Sequence, residues 1–267
     1  MHCIMKNLKE IEVFLFDMDG TLNMGEVPID GAMETLKILT ERGKTVCFVT
    51  NNSSKSKYEY LKKVCRMGYN ADIKQIVTSG MAAANYLNKH HAGQSIYCLG
   101  TETLRKEFEE YGVKTKNVGE DADVVVLAFD TELTYEKLWH ATNLIAQGKP
   151  YISTHPDFVC PSDKGNMPDA GAMMALIEKT TGKMPDVIIG KPYAPMAEYV
   201  FDFTGATADK VAFVGDRLYT DIKFAINNGM TGVLVLSGET TEEMYKESGL
   251  DVDYVFSDVN ELRKYTE

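Results

Sequence analysis

Positive charge is in short supply. Lysine and arginine number 28 against 39 aspartates and glutamates, a net charge of −11. That balance argues against a nucleic-acid backbone or an anionic membrane surface as partner. It leaves open a small phosphorylated metabolite, which responds to the local field rather than to the total. Cysteine is sparse too. Cys3, Cys47, Cys65, Cys98 and Cys160 are odd in number, widely spaced and form no C-x-x-C, so neither a disulfide framework nor a zinc site is expected. Cys47 and Cys98 lie in apolar runs and read as small buried hydrophobes. No run approaches the roughly 18 consecutive apolar residues of a membrane helix, and the opening M-H-C-I-M-K-N-L-K-E has no apolar signal core. A soluble protein of a reducing cytoplasm is the expectation. Repeats of fixed period and low-complexity segments are missing. The single tryptophan, Trp139, stands beside Leu138 on a helical pattern and reads as packing.

What is present is ordinary globular material: 267 residues, 44% hydrophobic and 25% charged, enough for one large domain or two modest ones. The chain is organised around residues 13–22, V-F-L-F-D-M-D-G-T-L. Four unbroken apolar residues suit a strand buried on both faces, as in a parallel sheet. The strand stops at Asp17, Asp19 follows, and Gly20 permits a sharp turn. Taken alone, Asp17 and Asp19-Gly20 also suit a turn leading to a helix.

The rest of the chain alternates strand and helix patterns. Asp30 is placed to cap a helix over residues 30–42. A strand pattern over 45–49 runs into Thr50-Asn51-Asn52-Ser53. Further strand patterns cover 76–77, 95–99, 122–129 and 151–153, with helices over 81–89, 102–111, 134–147 and 170–181 between or after them. Residues 154–169, with three prolines, read as a structured loop. A short strand over 187–189 stops at Gly190-Lys191-Pro192, and another over 211–214 stops at Gly215-Asp216-Arg217. A helix over 220–228, a strand over 231–236 and a last helix-strand-helix complete the chain. Such alternation predicts an α/β protein with a Rossmann-like, doubly wound parallel sheet, in which the carboxyl ends of all strands share one edge. Four strand ends then bring Asp17/Asp19, Thr50/Asn51, Lys191 and Asp216 together.

A phosphate ester is a dianion. Beside carboxylates at ~4 Å, with an effective dielectric near 20, each like-charge pair costs about 4 kcal/mol. A divalent cation relieves this, and oxygen ligands favour Mg²⁺. Lys191 adds positive charge on the substrate side, and Thr50 and Asn51 can hold phosphoryl oxygens. No G-x-S-x-G or H-E-x-x-H occurs. Asp17 is therefore the best-placed nucleophile, forming an aspartyl-phosphate. Asp19 is placed to protonate the leaving alcohol and then to activate water. Asp216 completes the metal shell, and Asp221 orients it. Asn52 is counted with the phosphate-holding residues, although it also suits the turn itself.

D-M-D-G-T, T-N-N-S, G-K-P and G-D-R-L-Y-T-D-I, in this order, resemble the haloacid dehalogenase (HAD) superfamily. D-G-T-L-N-M-G-E-V-P-I-D-G-A, T-H-P-D and G-D-R-x-x-T-D resemble its NagD-like, p-nitrophenylphosphatase branch. The resemblance implies a core over residues 1–80 and 184–267, a large α/β cap inserted over 81–183, and Mg²⁺-dependent hydrolysis of phosphomonoesters such as a sugar phosphate or a nucleoside monophosphate. It implies Asp17 as nucleophile, Asp19 as acid and base, Lys191 as phosphate ligand, and Mg²⁺ on Asp17, the Asp19 carbonyl and Asp216. A homodimer through the cap is a further implication. His155, Asp157 and Phe158 are candidates to touch the leaving group. Relatives acting on pyridoxal phosphate carry a histidine where this chain has Cys160, so that substrate is not carried over. A phosphotransferase or mutase on the same scaffold, and a module that binds a phosphorylated ligand without turnover, are the rival readings.

Overall fold

A computed structural model describes residues 7–162 and 164–267; Cys3 and the start of the N-terminal stretch read above lie outside the described residues. The chain divides into two compact units. The first comprises Met1–Thr50, Tyr58–Val77 and Lys191–Glu267, the second Asn51–Lys57 and Thr78–Gly190.

The first unit is built on a six-stranded sheet. In spatial order its strands are Tyr254–Phe256, Thr231–Val235, Val211–Gly215, Val13–Phe16, Thr45–Thr50 and Ile76–Thr78. Val13–Phe16 runs parallel to both neighbours, with Phe16 opposite Val214 on one side and Phe48 on the other. All four of its residues are buried, as an apolar run covered on both faces requires. From this strand the chain order proceeds outward to Thr45–Thr50 and Ile76–Thr78. It then returns to the other side, beginning with Val211–Gly215. The order thus reverses between Val13–Phe16 and Val211–Gly215, and the crevice beyond the carboxyl ends of such a strand pair is where doubly wound sheets take ligands. Phe14, Phe16, Leu36, Phe48, Val64, Val214 and Leu262 belong to the core on one face of the sheet.

The second unit carries its own sheet, ordered Val187–Ile188, Tyr151–Ser153, Val124–Leu127, Ser95–Leu99 and Lys114–Lys116, with parallel pairing throughout. Ser79–His90, Glu102–Glu110, Tyr135–Ala146 and Ala170–Thr181 are its helices. Leu127, Phe129, Ile145, Met173 and Ile177 form part of its core. The chain is thus an α/β protein with a doubly wound parallel core and an inserted α/β unit. Cys47 and Cys98 are buried, and burial pushes both thiols up to about 12. No described helix is long and apolar enough to cross a membrane.

Several local expectations are corrected. The first long helix is Ala32–Glu41 and is led by Gly31 in the left-handed region, without a side-chain cap. Asp30 stands outside it, and its carbonyl accepts from Asn260. Residues 154–169 contain a small antiparallel ribbon, Val159–Cys160 against Met167–Pro168. The helix expected from residue 220 begins as a π-helical turn over Leu218–Ile222. Trp139 is 60% exposed rather than packed. The strand before Lys191 pairs with Tyr151–Ser153 and so belongs to the second sheet. Lys191 therefore reaches the first unit from a connection and not from the end of a core strand.

Candidate active site

The site begins with backbone geometry. One residue past the central strand, the Asp17 N–H donates to the Val214 carbonyl at 2.9 Å. The ladder therefore continues through Asp17 and fixes where its side chain starts. Asp216 stands one residue past Gly215, the end of the adjacent strand. The two carboxylates are consequently neighbours by register. Space for the second is made by glycine. Gly20 has φ +91°, and a Cβ there, or on Gly238, would collide with the Asp216 carboxylate.

Asp216 is 1% exposed. Its Oδ1 accepts from the Thr21 hydroxyl at 3.2 Å and its Oδ2 from the Glu239 N–H at 2.7 Å. Lys191, 2% exposed, donates to Asp17 Oδ1 at 2.6 Å and to Asp221 Oδ1 at 2.7 Å. Its ammonium lies 4.8 Å from the centre of the Phe213 ring. The other oxygen of Asp221 accepts the Arg217 N–H at 3.1 Å. That bond draws the side chain back onto its own turn, where the π-helical geometry begins.

Ligand atoms of Asp17, Asp216 and Asp221 all lie within 4.8 Å of one another. Burial, then the charge of Asp17, pushes the Asp216 carboxyl up to about 6. Burial is also the main cause that pushes Asp221 up to about 7; the Lys191 charge pulls the other way, and the Asp17 and Asp216 charges add to the rise. Burial draws Lys191 down, but Asp17 and Asp221 more than reverse this and hold it protonated. Asp17 and Asp221 hold the Lys191 ammonium, and Asp216 lies beside them with the Arg217 charge acting on it, yet desolvation still leaves Asp216 and Asp221 short of compensating positive charge. A hard, oxygen-seeking divalent cation fits that donor set. Asp17 and Asp216 follow the ends of adjacent parallel strands, and this register makes them the pair of carboxylates suited to hold such a cation, while Asp221 is engaged by Lys191 and by the Arg217 N–H.

Asp19 lies outside this cluster. Its side chain is 55% exposed and pairs with Lys63 at 3.1 Å, and the Asn23 amide donates to the same carboxylate at 2.5 Å. Lys63, to which sequence reasoning assigns no role, is buried on the helix Lys57–Arg66 together with Tyr60 and Val64. No signal in the sequence marks it, because a lysine in a helix ordinarily faces solvent. Thr50 ends its core strand and is buried.

The remaining predicted residues lie in the second unit. The Asn51 amide donates to Asp157 Oδ2 at 3.1 Å, and the Asn51 carbonyl accepts from Ser79. Asn52 Oδ1 accepts from both the N–H and the hydroxyl of Ser54, so this residue does shape the turn. His155 is fully buried. Nδ1 meets the Thr154 hydroxyl at 2.9 Å and Nε2 meets Asp169 at 2.8 Å. Phe158 is 64% exposed.

Comparison with known proteins agrees with this geometry. The family model described as haloacid dehalogenase-like hydrolase matches residues 14–114, and a HAD-hydrolase-like model matches residues 188–262. A Staphylococcus aureus (strain USA300) protein named acid sugar phosphatase is 36% identical over 254 residues, spanning 95% of this chain and 97% of its own. The chain belongs to the haloacid dehalogenase-like hydrolases. Within them it falls in the NagD-like, nitrophenylphosphatase branch. The solved 4-nitrophenylphosphatase of Thermotoga maritima superimposes with a TM-score of 0.93 at 42% identity, over 97% of this chain and 99% of that one. NagD of Escherichia coli K-12 superimposes with a TM-score of 0.86 at 26% identity, over 94% and 98%.

Proposed function

We propose that the chain is a Mg²⁺-dependent phosphatase that hydrolyses small phosphomonoesters through an aspartyl-phosphate on Asp17. The carrying observation is the trio of carboxylates within 4.8 Å of one another, two of them paired with one buried lysine, at the reversal point of a doubly wound sheet. The names of the relatives, acid sugar phosphatase and 4-nitrophenylphosphatase, support phosphate esters as substrates, with sugar phosphates first among physiological candidates and nucleoside monophosphates next.

In this reading Asp17 attacks phosphorus. The new Asp17–phosphorus bond forms as the ester bond breaks, and Asp19 gives its proton to the departing alkoxide. Asp19 then takes a proton from water, whose oxygen attacks phosphorus and frees both Asp17 and inorganic phosphate. Lys191 orients Asp17 and offsets phosphoryl charge, and Asp221 holds Lys191 in place. Thr50 and Asn51, with Asn52 counted beside them, hold phosphoryl oxygens. Asp157 acts on the site by fixing the Asn51 amide, and His155 fixes the segment that carries Asp157. Mg²⁺ held by Asp17, Asp216 and the Asp19 carbonyl would supply the positive charge that lets a phosphate dianion approach acidic groups. The second unit, read as the cap, is the proposed source of substrate selectivity.

The test is p-nitrophenyl phosphate with Mg²⁺ and the variant Asp17→Asn. Phosphate release falls by at least about 10³-fold, the scale of losing a covalent nucleophile. Retained turnover removes the assignment. Glycerol added in excess separates hydrolysis from transfer, since a phosphotransferase would yield glycerol phosphate in place of free phosphate.

A further inference from the structure

We infer that Lys63 is a positioning residue for Asp19: it fixes the direction of the carboxylate that exchanges a proton with the leaving group. The inference rests on the phosphatase reading above and extends it to a side chain outside the charged cluster.

Lys63 sits where a lysine is costly. It is 9% exposed and occupies the buried face of Lys57–Arg66 between Tyr60 and Val64. Its ammonium reaches both oxygens of one carboxylate, at 3.1 and 3.3 Å from Asp19. That carboxylate is itself 55% exposed, and ion pairs with so wet a partner add little to stability. Fold stability is therefore a poor account of why an ammonium is held there.

Position is a better account. Asp19 is gripped from a second side by Asn23, which is fully buried. The Asn23 amide is aimed by a bond to the Gly25 carbonyl at 2.8 Å. The Gly20 N–H donates to the Asn23 carbonyl at 2.7 Å, which ties the two segments together beside Asp19. Two donors from separate elements thus converge on a side chain that its own exposure would otherwise leave free to rotate. Proton transfer depends steeply on direction and distance, so the effect should appear wherever the leaving group needs its proton most. An alkyl ester expels a basic alkoxide. A nitrophenyl ester expels a stable phenolate that needs less help.

The experiment compares glycerol phosphate with p-nitrophenyl phosphate, both with Mg²⁺, in the full chain. Lys63→Met keeps the aliphatic stem and removes the ammonium. It should lower kcat for glycerol phosphate by about tenfold or more and for p-nitrophenyl phosphate by only about twofold to threefold, a part of the roughly 10²–10⁴-fold that a positioned general acid–base supplies. Lys63→Arg, which can still grip a carboxylate, restores most of the alkyl-ester rate. Asn23→Ser, which loosens the second grip, gives the same substrate-dependent pattern by an independent route. Equal losses on both esters, no loss on either, or a gain in rate would overturn the inference. Wild-type protein that releases phosphate from neither ester overturns the phosphatase reading itself, and the inference with it. Wild-type turnover with no leaving-group dependence in the variants overturns the inference alone.

Discussion

At the residue scale the most constrained group is Lys191. Its ammonium is buried against two carboxylates at 2.6 and 2.7 Å. Removing one partner of a buried charged network leaves the others uncompensated, so Lys191→Met should destabilise the protein by about 3–5 kcal/mol at neutral pH. Urea denaturation checks this, and a change below about 1 kcal/mol would place the ammonium's effective partners in solvent. The residue that sequence reasoning passed over, Lys63, shows why single side chains are hard to read. A lysine in a helix resembles a solvated face until a fold supplies a carboxylate opposite it. Asp17 and Asp216 were legible because each ends a strand of unbroken apolar residues. Asp221 was legible only as a neighbour of Asp216. Its grip on Lys191 depends on a turn that no periodicity announces.

At the scale of elements, the strands buried on both faces were readable and the thin ones were not. Val13–Phe16 and Val211–Gly215 are apolar throughout. Lys114–Lys116 is a polar edge strand, partly exposed, and carries no apolar signal. The ribbon within residues 154–169 was hidden by proline, which suits an irregular loop equally well. Inside that segment His155 links Thr154 to Asp169, and Asp169 caps the helix Ala170–Thr181. Burial works to lower the His155 pKa, but the charge and hydrogen bond of Asp169 and the charge of Asp157 raise it above its ordinary value. A raised folded-state value means that the protonated ring favours the fold. Its contribution is full below the unfolded value near 6.5 and fades as pH rises through the folded value. His155→Gln should therefore destabilise the protein most near pH ~6 and progressively less toward pH ~9, as followed by thermal melts across that range. A penalty that grows with pH would show that the neutral ring is the stabilising form.

At the scale of the whole molecule, a strongly acidic chain holds a site suited to an anionic substrate. The local arrangement resolves the apparent conflict, since in the proposed mechanism Lys191 and Mg²⁺ set the field where the phosphoryl group would sit. Each unit has its own sheet and its own apolar core, so the chemistry can reside in the first while selectivity is proposed for the second. The most direct measurement is an acid quench of the protein during turnover of p-nitrophenyl phosphate with Mg²⁺, followed by borohydride reduction and peptide mass spectrometry. An acyl phosphate on Asp17 is reduced to homoserine, and the account predicts that conversion at residue 17 and at no other carboxylate. Turnover that leaves the Asp17 peptide unmodified, with Asp17→Asn still active, would contradict it.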